Sequence, residues 1–307
     1  MTLKRRQLGP PRPMTGKKRR WLNPTSGLLK LAERAVDRVA SRYIYPHVKG
    51  IWTPYSWQLP RRFALAETNL CPQRWPNNLP PLRVLLLSDI HTGPFLKPEV
   101  LSTIVTDLMT FGPDLVVIAG DIVTGYPSEL DNFLAGLAVL SEAPLGAWFC
   151  LGNHDHFSGD PEGVQERLES IGISTLRNQS AVLTHGDSKF VLGGIDDLIL
   201  GTPDWDQLLA ANGSPDLLLA HNPDLFYEAE ARGAALMLSG HTHGGQIRFR
   251  DGPPLVRQSG FSLDEGAYSY GSSLLVVSRG LGAVGLPWRI GADPEAILIR
   301  IDPPTPG

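Results

Sequence analysis

Cysteine is almost missing from this chain of 307 residues: only Cys71 and Cys150 occur, too few for a disulfide framework and at a spacing that matches no zinc ribbon. Thiol chemistry is not expected as a theme, and a reducing compartment suits the composition. Long apolar runs are missing too. No uncharged stretch approaches the roughly 18 residues a bilayer-crossing helix needs, so the sequence predicts nothing that spans a membrane. With 42% hydrophobic and 19% charged residues the chain can bury a sizeable core, which excludes fibres and wholesale disorder. At about 150 residues per domain, the length allows two small domains or one large α/β domain.

What is present is distributed unevenly. The net charge of -3 conceals a segment 1–50 with 13 Lys and Arg against Glu33 and Asp37. Residues 1–26 combine Lys4, Arg5, Arg6, Lys17, Lys18, Arg19 and Arg20 with four prolines. They offer little to bury and are expected to form a disordered basic arm. Residues 27–60 change character. Leu28, Leu31, Ala32, Ala35, Val36 and Val39 recur at helical spacing opposite Lys30, Arg34, Arg38 and Arg42, with Trp21, Tyr43, Tyr45, Trp52, Tyr55 and Trp57 around them. An apolar stripe, a basic face and interfacial aromatics predict attachment to an anionic membrane surface; packing on the domain is the competing expectation. A twin-arginine export signal at Arg19-Arg20 is disfavoured, because Lys30, Glu33 and Arg34 interrupt the apolar segment that should follow. Nucleic-acid binding by the arm is disfavoured for want of a base-reading module.

From Arg83 onward the pattern is that of a layered α/β domain, expected over 80–303. Continuous apolar runs at 84–87, 115–119, 147–151, 217–220 and 235–238 read as strands buried on both faces. Stretches 98–111, 128–140, 161–171, 203–211 and 223–231 read as helices, several with proline near the first turn. Further strands are expected at 182–184, 189–193, 274–278 and 296–301, and His185 with Gly186-Asp187 reads as a hairpin turn.

Each buried strand ends in a polar cluster. Ser88-Asp89-Ile90-His91 follows the first, Gly120-Asp121 the second and Gly152-Asn153-His154-Asp155 the third. His221-Asn222-Pro223-Asp224 and Gly240-His241-Thr242-His243-Gly244-Gly245-Gln246 complete the series. Alone, each is an ordinary turn or helix cap. Five on five strand ends point to one crevice, where open α/β sheets bind ligands. Carboxylates and imidazoles gathered there would repel or shift their pKa values unless cations sat among them; two divalent metals resolve this.

The ordered motifs Asp89-x-His91, Gly120-Asp121, Gly152-Asn153-His154-Asp155, His221 and Gly240-His241-x-His243 resemble the calcineurin-like metallophosphoesterase superfamily. The segment from Ser278 to Pro287, with His221-Asn222-Pro223-Asp224 and His243-Gly244-Gly245-Gln246, resembles a bacterial branch of small, often membrane-associated phosphodiesterases. That branch also includes a pyrophosphatase acting on UDP-2,3-diacylglucosamine in lipid A synthesis. The resemblance implies a four-layer αββα sandwich in which Asp89, His91, Asp121 and His243 hold one metal. Asp121 would bridge to a second, completed by Asn153, His221 and His241.

Carboxylate, amide and imidazole donors suit Mn, Fe, Ni or Zn more than Ca; Mn(II) is expected to serve in vitro. His154 is expected to donate a proton to the leaving oxygen or to stabilise phosphoryl charge, with Asp155 fixing its ring. His156 reads as a loop residue, Cys150 as core, Gly244 and Gly245 as sites of close backbone approach, and Arg279 as a phosphate contact or a salt bridge. Loops 195–202 and 251–270 are expected to choose the substrate. The resulting expectation is a two-metal phosphohydrolase acting on a phosphodiester or pyrophosphate of a membrane-linked lipid, cytoplasmic and attached to the inner face of the membrane. The alternatives are a nuclease or cyclic-nucleotide phosphodiesterase and, from another class, a non-catalytic scaffold, which an intact ligand set disfavours.

Overall fold

The structure, a computed structural model, describes residues 5–9, 54–249, 252–255 and 257–304. One sheet contains β2 (Ala64–Leu70), β3 (Leu82–Leu87), β4 (Leu115–Ala119), β5 (Ala147–Cys150), β6 (Ile173–Leu176) and β13 (Glu295–Ile301), in the order β2-β13-β3-β4-β5-β6. The other contains β1 (Arg5–Gln7), β7 (Gln179–His185), β8 (Ser188–Gly194), β9 (Leu217–Leu219), β10 (Leu236–Ser239), β11 (Gly266–Tyr270) and β12 (Ser273–Val277), in the order β1-β11-β12-β10-β9-β8-β7. In the first sheet β3, β4, β5 and β6 run parallel, and in the second β8, β9, β10 and β12 do.

Strand β3 shows why an unbroken apolar run builds two layers at once. Successive side chains of a strand point to opposite faces. Val84 and Leu86 therefore join Val117, Leu219 and Leu236 between the sheets, while Leu85 and Leu87 join Leu101, Val105 and Leu108 of the helix Pro98–Met109. A third cluster places Trp205, Leu208 and Phe226 of helices Trp205–Ala210 and Phe226–Ala231 against Leu218, Met237 and Leu275 on the outer face of the second sheet. These clusters are the interfaces of an αββα sandwich, as expected. The helices start where local chemistry allows: Pro98 opens one, and Asp160 and Asp204 accept the Gly163 and Gln207 N–H groups at the start of two others.

Several elements differ from expectation. Residues 128–140 do not form one helix but a 3-10 turn Pro127–Leu130, a single α turn Leu134–Leu137 and another 3-10 turn Ala138–Glu142. Gly136 lies so close to Ser102 that a Cβ would collide with it, so the segment follows the surface of the neighbouring helix. The catalytic fold also begins before residue 80, because β2 pairs along its whole length with β13. Its alternating Ala66, Thr68 and Leu70 point inward. Strands β6 and β11 and the short helix Asn153–Phe157 were likewise not anticipated.

Of the arm expected to be disordered, Arg5–Gln7 instead form a strand parallel to β11; residues 10–26 lie outside the described residues. So do residues 27–53, and with them most of the amphipathic segment. Its last part is the helix Pro54–Arg62, which packs on the domain: Tyr55 and Leu59 are fully buried, the Tyr55 hydroxyl donates to the Leu281 carbonyl and the Ser56 hydroxyl donates to Phe95 O at 2.8 Å. Among the described residues, no helix is long and apolar enough to cross a membrane.

Candidate metal centre

All seven residues expected as metal ligands lie just beyond the carboxyl ends of β3, β4, β5, β9 and β10. The backbone turns sharply there. Asp89, His91, Asp121, His241 and His243 all have φ between 48° and 73°, the left-handed region that side chains seldom occupy and that structures keep where a site needs it. Backbone bonds from Asp89 N to Gly120 O (3.0 Å), His91 N to Asp121 O (3.1 Å) and Thr92 N to Ile122 O (2.8 Å) lace the first two loops together. Glycine makes the crowding possible: at Gly120, with φ +79°, a Cβ would come within 2.5 Å of the His221 ring.

The side chains gather into two buried triads, Asp89/His91/His243 and Asp121/His221/His241, with ligand atoms within 4.8 Å of one another in each. Each triad draws on both sheets. Nε2 of His91 and Nε2 of His243 face each other at 3.3 Å, and Asp89 Oδ1 is 3.5 Å from His243. Asp121 Oδ2 lies 3.1 Å from His221 Nε2 and 3.9 Å from His91 Nε2, between the triads. The Asn153 side-chain amide oxygen, Oδ1, is buried without a hydrogen-bond partner. His221 Nδ1 donates to Ala119 O at 2.8 Å, which turns its Nε2 toward Asp121.

These residues fit a pair of cations. Two nitrogens bound about 2.1 Å from one ion sit roughly 3–3.4 Å apart, the spacing His91 and His243 already have. Burial lowers the pKa of His91 to about 3 and holds that of His243 well below the ordinary value, so both rings are neutral and keep a lone pair. Burial raises Asp89 to about 6. Burial opposes charge on His221, yet Asp121, with help from Asp89 and Asp197, raises it to about 10: the carboxylates demand positive charge between them. An orphaned amide oxygen completes a donor set of carboxylate, imidazole and amide.

His154 stands at the edge of this cluster, half-buried, with its ring 4.9 Å from that of His91. Its ring is not fixed by Asp155, contrary to expectation. Nδ1 of His154 meets the Thr124 carbonyl at 2.8 Å. Asp155 is fully buried, and its carboxylate accepts the backbone N–H groups of Asp121, Ile122, Val123 and Gly152 at 2.7–3.2 Å. A carboxylate surrounded by four amide donors ties the second and third loops together and has no reach left for an imidazole. The His154 N–H in turn donates to Asp121 Oδ1 at 2.7 Å.

Other residues resolve as well. His156 is paired with Asp196 at 2.6 Å, and Arg279 bonds Glu295 at 2.6 Å, so both serve the scaffold. Gly244 and Gly245 admit the Arg279 side chain and Pro254 respectively. Cys150 is buried in the core, and His185 borders the β7–β8 hairpin.

The sequence reading missed Arg289. Its guanidinium is fully buried and donates to Gly282 O (2.7 Å), Arg279 O (2.6 Å) and His243 Nδ1 (3.0 Å). A single Arg in a loop carries no periodic signal by which to find it. Also missed was a cavity of about 550 Å³ that begins one residue past His91, lined by Thr92, Gly93, Leu96, Tyr126, Glu129 and Phe133 among others. Glu129 accepts the Thr124 and Gly125 N–H groups at 2.7 and 3.0 Å, which couples the cavity wall to the carbonyl that holds His154. Loops 195–202 and 251–270 do not line it.

Comparison with known proteins agrees with this geometry. A family model described as calcineurin-like phosphoesterase matches residues 82–245. The chain is 33% identical over 232 residues to an uncharacterized metallophosphoesterase, YkuE, of Bacillus subtilis, covering 74% of this chain and 81% of that one. It is 33% identical over 237 residues to phosphodiesterase YaeI of Escherichia coli, covering 73% and 84%. With a Danio rerio transmembrane protein with metallophosphoesterase domain it shares 35% identity over 241 residues, 73% of this chain but 54% of that longer one. Among solved structures, NAD nucleotidase of Haemophilus influenzae superposes with a TM-score of 0.45 at 16% identity over 66% of this chain and 45% of that one; this chain thus spans about half the length of that structure.

Proposed function

Because this chain belongs to the calcineurin-like phosphoesterase family and is a metal-dependent phosphoester hydrolase, we propose that it cleaves a phosphodiester or pyrophosphate bond at two divalent metals. Asp89, His91, Asp121 and His243 would hold the first metal, and Asp121, Asn153, His221 and His241 the second. The observation that carries this reading is that Asp121 Oδ2, 3.1 Å from His221 in its own triad, also lies 3.9 Å from His91 in the other, so that one carboxylate oxygen faces both buried triads. When bound, the two ions supply positive charge to the phosphoryl oxygens and lower the pKa of a water, in vitro most simply as Mn(II).

The chain's own residues supply the rest. A carbonyl only accepts, so the His154 ring keeps a proton on Nδ1 toward Thr124 O. Its Nε2 is then the position from which a second proton can pass to the leaving oxygen. The cavity walled by Tyr126, Glu129 and Phe133 has room for the leaving group beside it. Resemblance to the phosphodiesterase branch and the basic amphipathic segment support a finer assignment: a lipid-linked substrate such as UDP-2,3-diacylglucosamine, met at the inner face of the membrane by a cytoplasmic, peripherally attached enzyme.

The test compares the Mn(II)-loaded protein with Asp121→Asn on a nucleotide-diphospho-lipid, a generic aryl phosphodiester and single-stranded DNA. Two equivalents of metal are expected, with turnover of the lipid faster than the measurable turnover of the aryl diester, and metal and turnover both lost in the variant. Selective turnover of DNA would assign a nuclease instead. Absence of turnover with two metals bound would leave the scaffold reading.

A further inference from the structure

Resting on the phosphodiesterase reading, we propose that the apolar face on the outer side of segment 286–290, which backs the metal centre, is a folded docking surface for an anionic phospholipid bilayer, so that the enzyme meets its phosphodiester at the lipid–water boundary. Among the described residues eight large apolar side chains are exposed, and six of them, Trp57, Phe249, Leu255, Leu286, Trp288 and Ile290, belong to one neighbourhood. Their exposure reaches 87% at Phe249, 70% at Leu255 and 67% at Trp57.

The backbone explains the clustering. Arg248 N donates to Ile290 O at 2.8 Å, Ile290 N to Gln246 O at 2.9 Å and Leu255 N to Ile247 O at 2.9 Å. The side-chain amide of Gln58, next to Trp57, donates through Nε2 to Arg289 O and accepts through Oε1 from Arg289 N. Residues 286–290 alternate: Leu286, Trp288 and Ile290 face outward, Pro287 and Arg289 inward. The inward Arg289 touches His243. The apolar face is therefore the reverse side of a chain segment that supports a ligand of the metal centre.

A clustered apolar patch of this kind marks an interaction site rather than ordinary surface, and tryptophan beside aliphatic side chains suits the boundary between headgroups and acyl chains. Charge selects the partner. Residues 10–53, which precede the helix carrying Trp57 in sequence, hold ten Lys and Arg against two acids. Such a segment is drawn to anionic lipid. A second copy of the chain carries the same excess of positive charge in residues 10–53, and like charge opposes self-association.

The test uses the full chain, wild type and the triple variant Phe249→Ser, Leu255→Ser, Ile290→Ser. Both are sedimented with vesicles of phosphatidylcholine containing phosphatidylglycerol, and both are assayed on a soluble aryl phosphodiester. The wild type is expected to bind the vesicles, and the variant to bind at least about tenfold more weakly while hydrolysing the soluble diester at the wild-type rate. Unchanged binding by the variant, or no binding by the wild type, overturns the proposal. So does a wild-type dimer that the variant loses in light scattering, which would give the face to a second copy. Vesicle binding decides docking whether or not the diester is hydrolysed, so failure of the phosphodiesterase reading would register separately.

Discussion

His154 differs from the four histidines of the triads because solvent reaches it while they are buried. It can therefore meet substrate without being spent on structure. Replacing it with Gln should leave two equivalents of metal by elemental analysis and lower kcat by about 10²–10⁴-fold; loss of metal together with activity would contradict the role. Arg289 does the opposite work from inside. Arg289→Met strips donors from the carbonyls of Gly282 and Arg279 and from the His243 ring, leaving buried acceptors unpaired at roughly 2–4 kcal/mol in urea unfolding. The metal-site positions were legible because each is an unusual residue type directly after a buried strand. Arg289 and the true partners of Asp155 were not, since both depend on loops distant in sequence meeting in space.

Loops and strands repeat the lesson with different causes. Runs such as Leu115–Ala119 could be placed because burial on both faces demands continuous apolar sequence. Strand β2 escaped because its polar alternation, Glu67 and Asn69 outward, resembles surface chain until β13 is beside it. Within the loop after β8, Asp196 bonds His156, Arg177 and Thr202 N at 2.6–3.0 Å and so fixes the loop to its neighbours. Burial works against the Asp196 carboxylate, but the His156 bond and the backbone amides of Thr202 and Asp197 win and hold its pKa below the ordinary value. A carboxylate with a depressed folded pKa contributes stability that is present above its unfolded pKa of about 3.9 and is lost as pH falls toward the folded value. Melting temperature followed downward from neutral pH should fall less steeply below about pH 4 in Asp196→Asn than in the wild type.

At the scale of the whole molecule, the described residues form two sheets and the helices that cover them, with one sheet edge closed by a strand from far away in sequence. Arg5, Arg6 and Gln7 pair with Ala267, Tyr268 and Ser269, and Leu8 N donates to Ser269 O at 2.7 Å. Without β1 the hydrogen-bonding edge of β11 is bare, a template for pairing with another chain. Deleting residues 1–9 should lower Tm by about 2–4 °C and increase concentration-dependent light scattering on warming; an unchanged melt would show that the strand adds nothing.

The origin of the ligands carries a last consequence. Asp89 and His91 come from one sheet and His243 from the other; Asp121 comes from the first and His221 and His241 from the second. Ions held there would rivet the two halves of the sandwich, so a chelator would lower the melting temperature of this enzyme as well as stop its turnover.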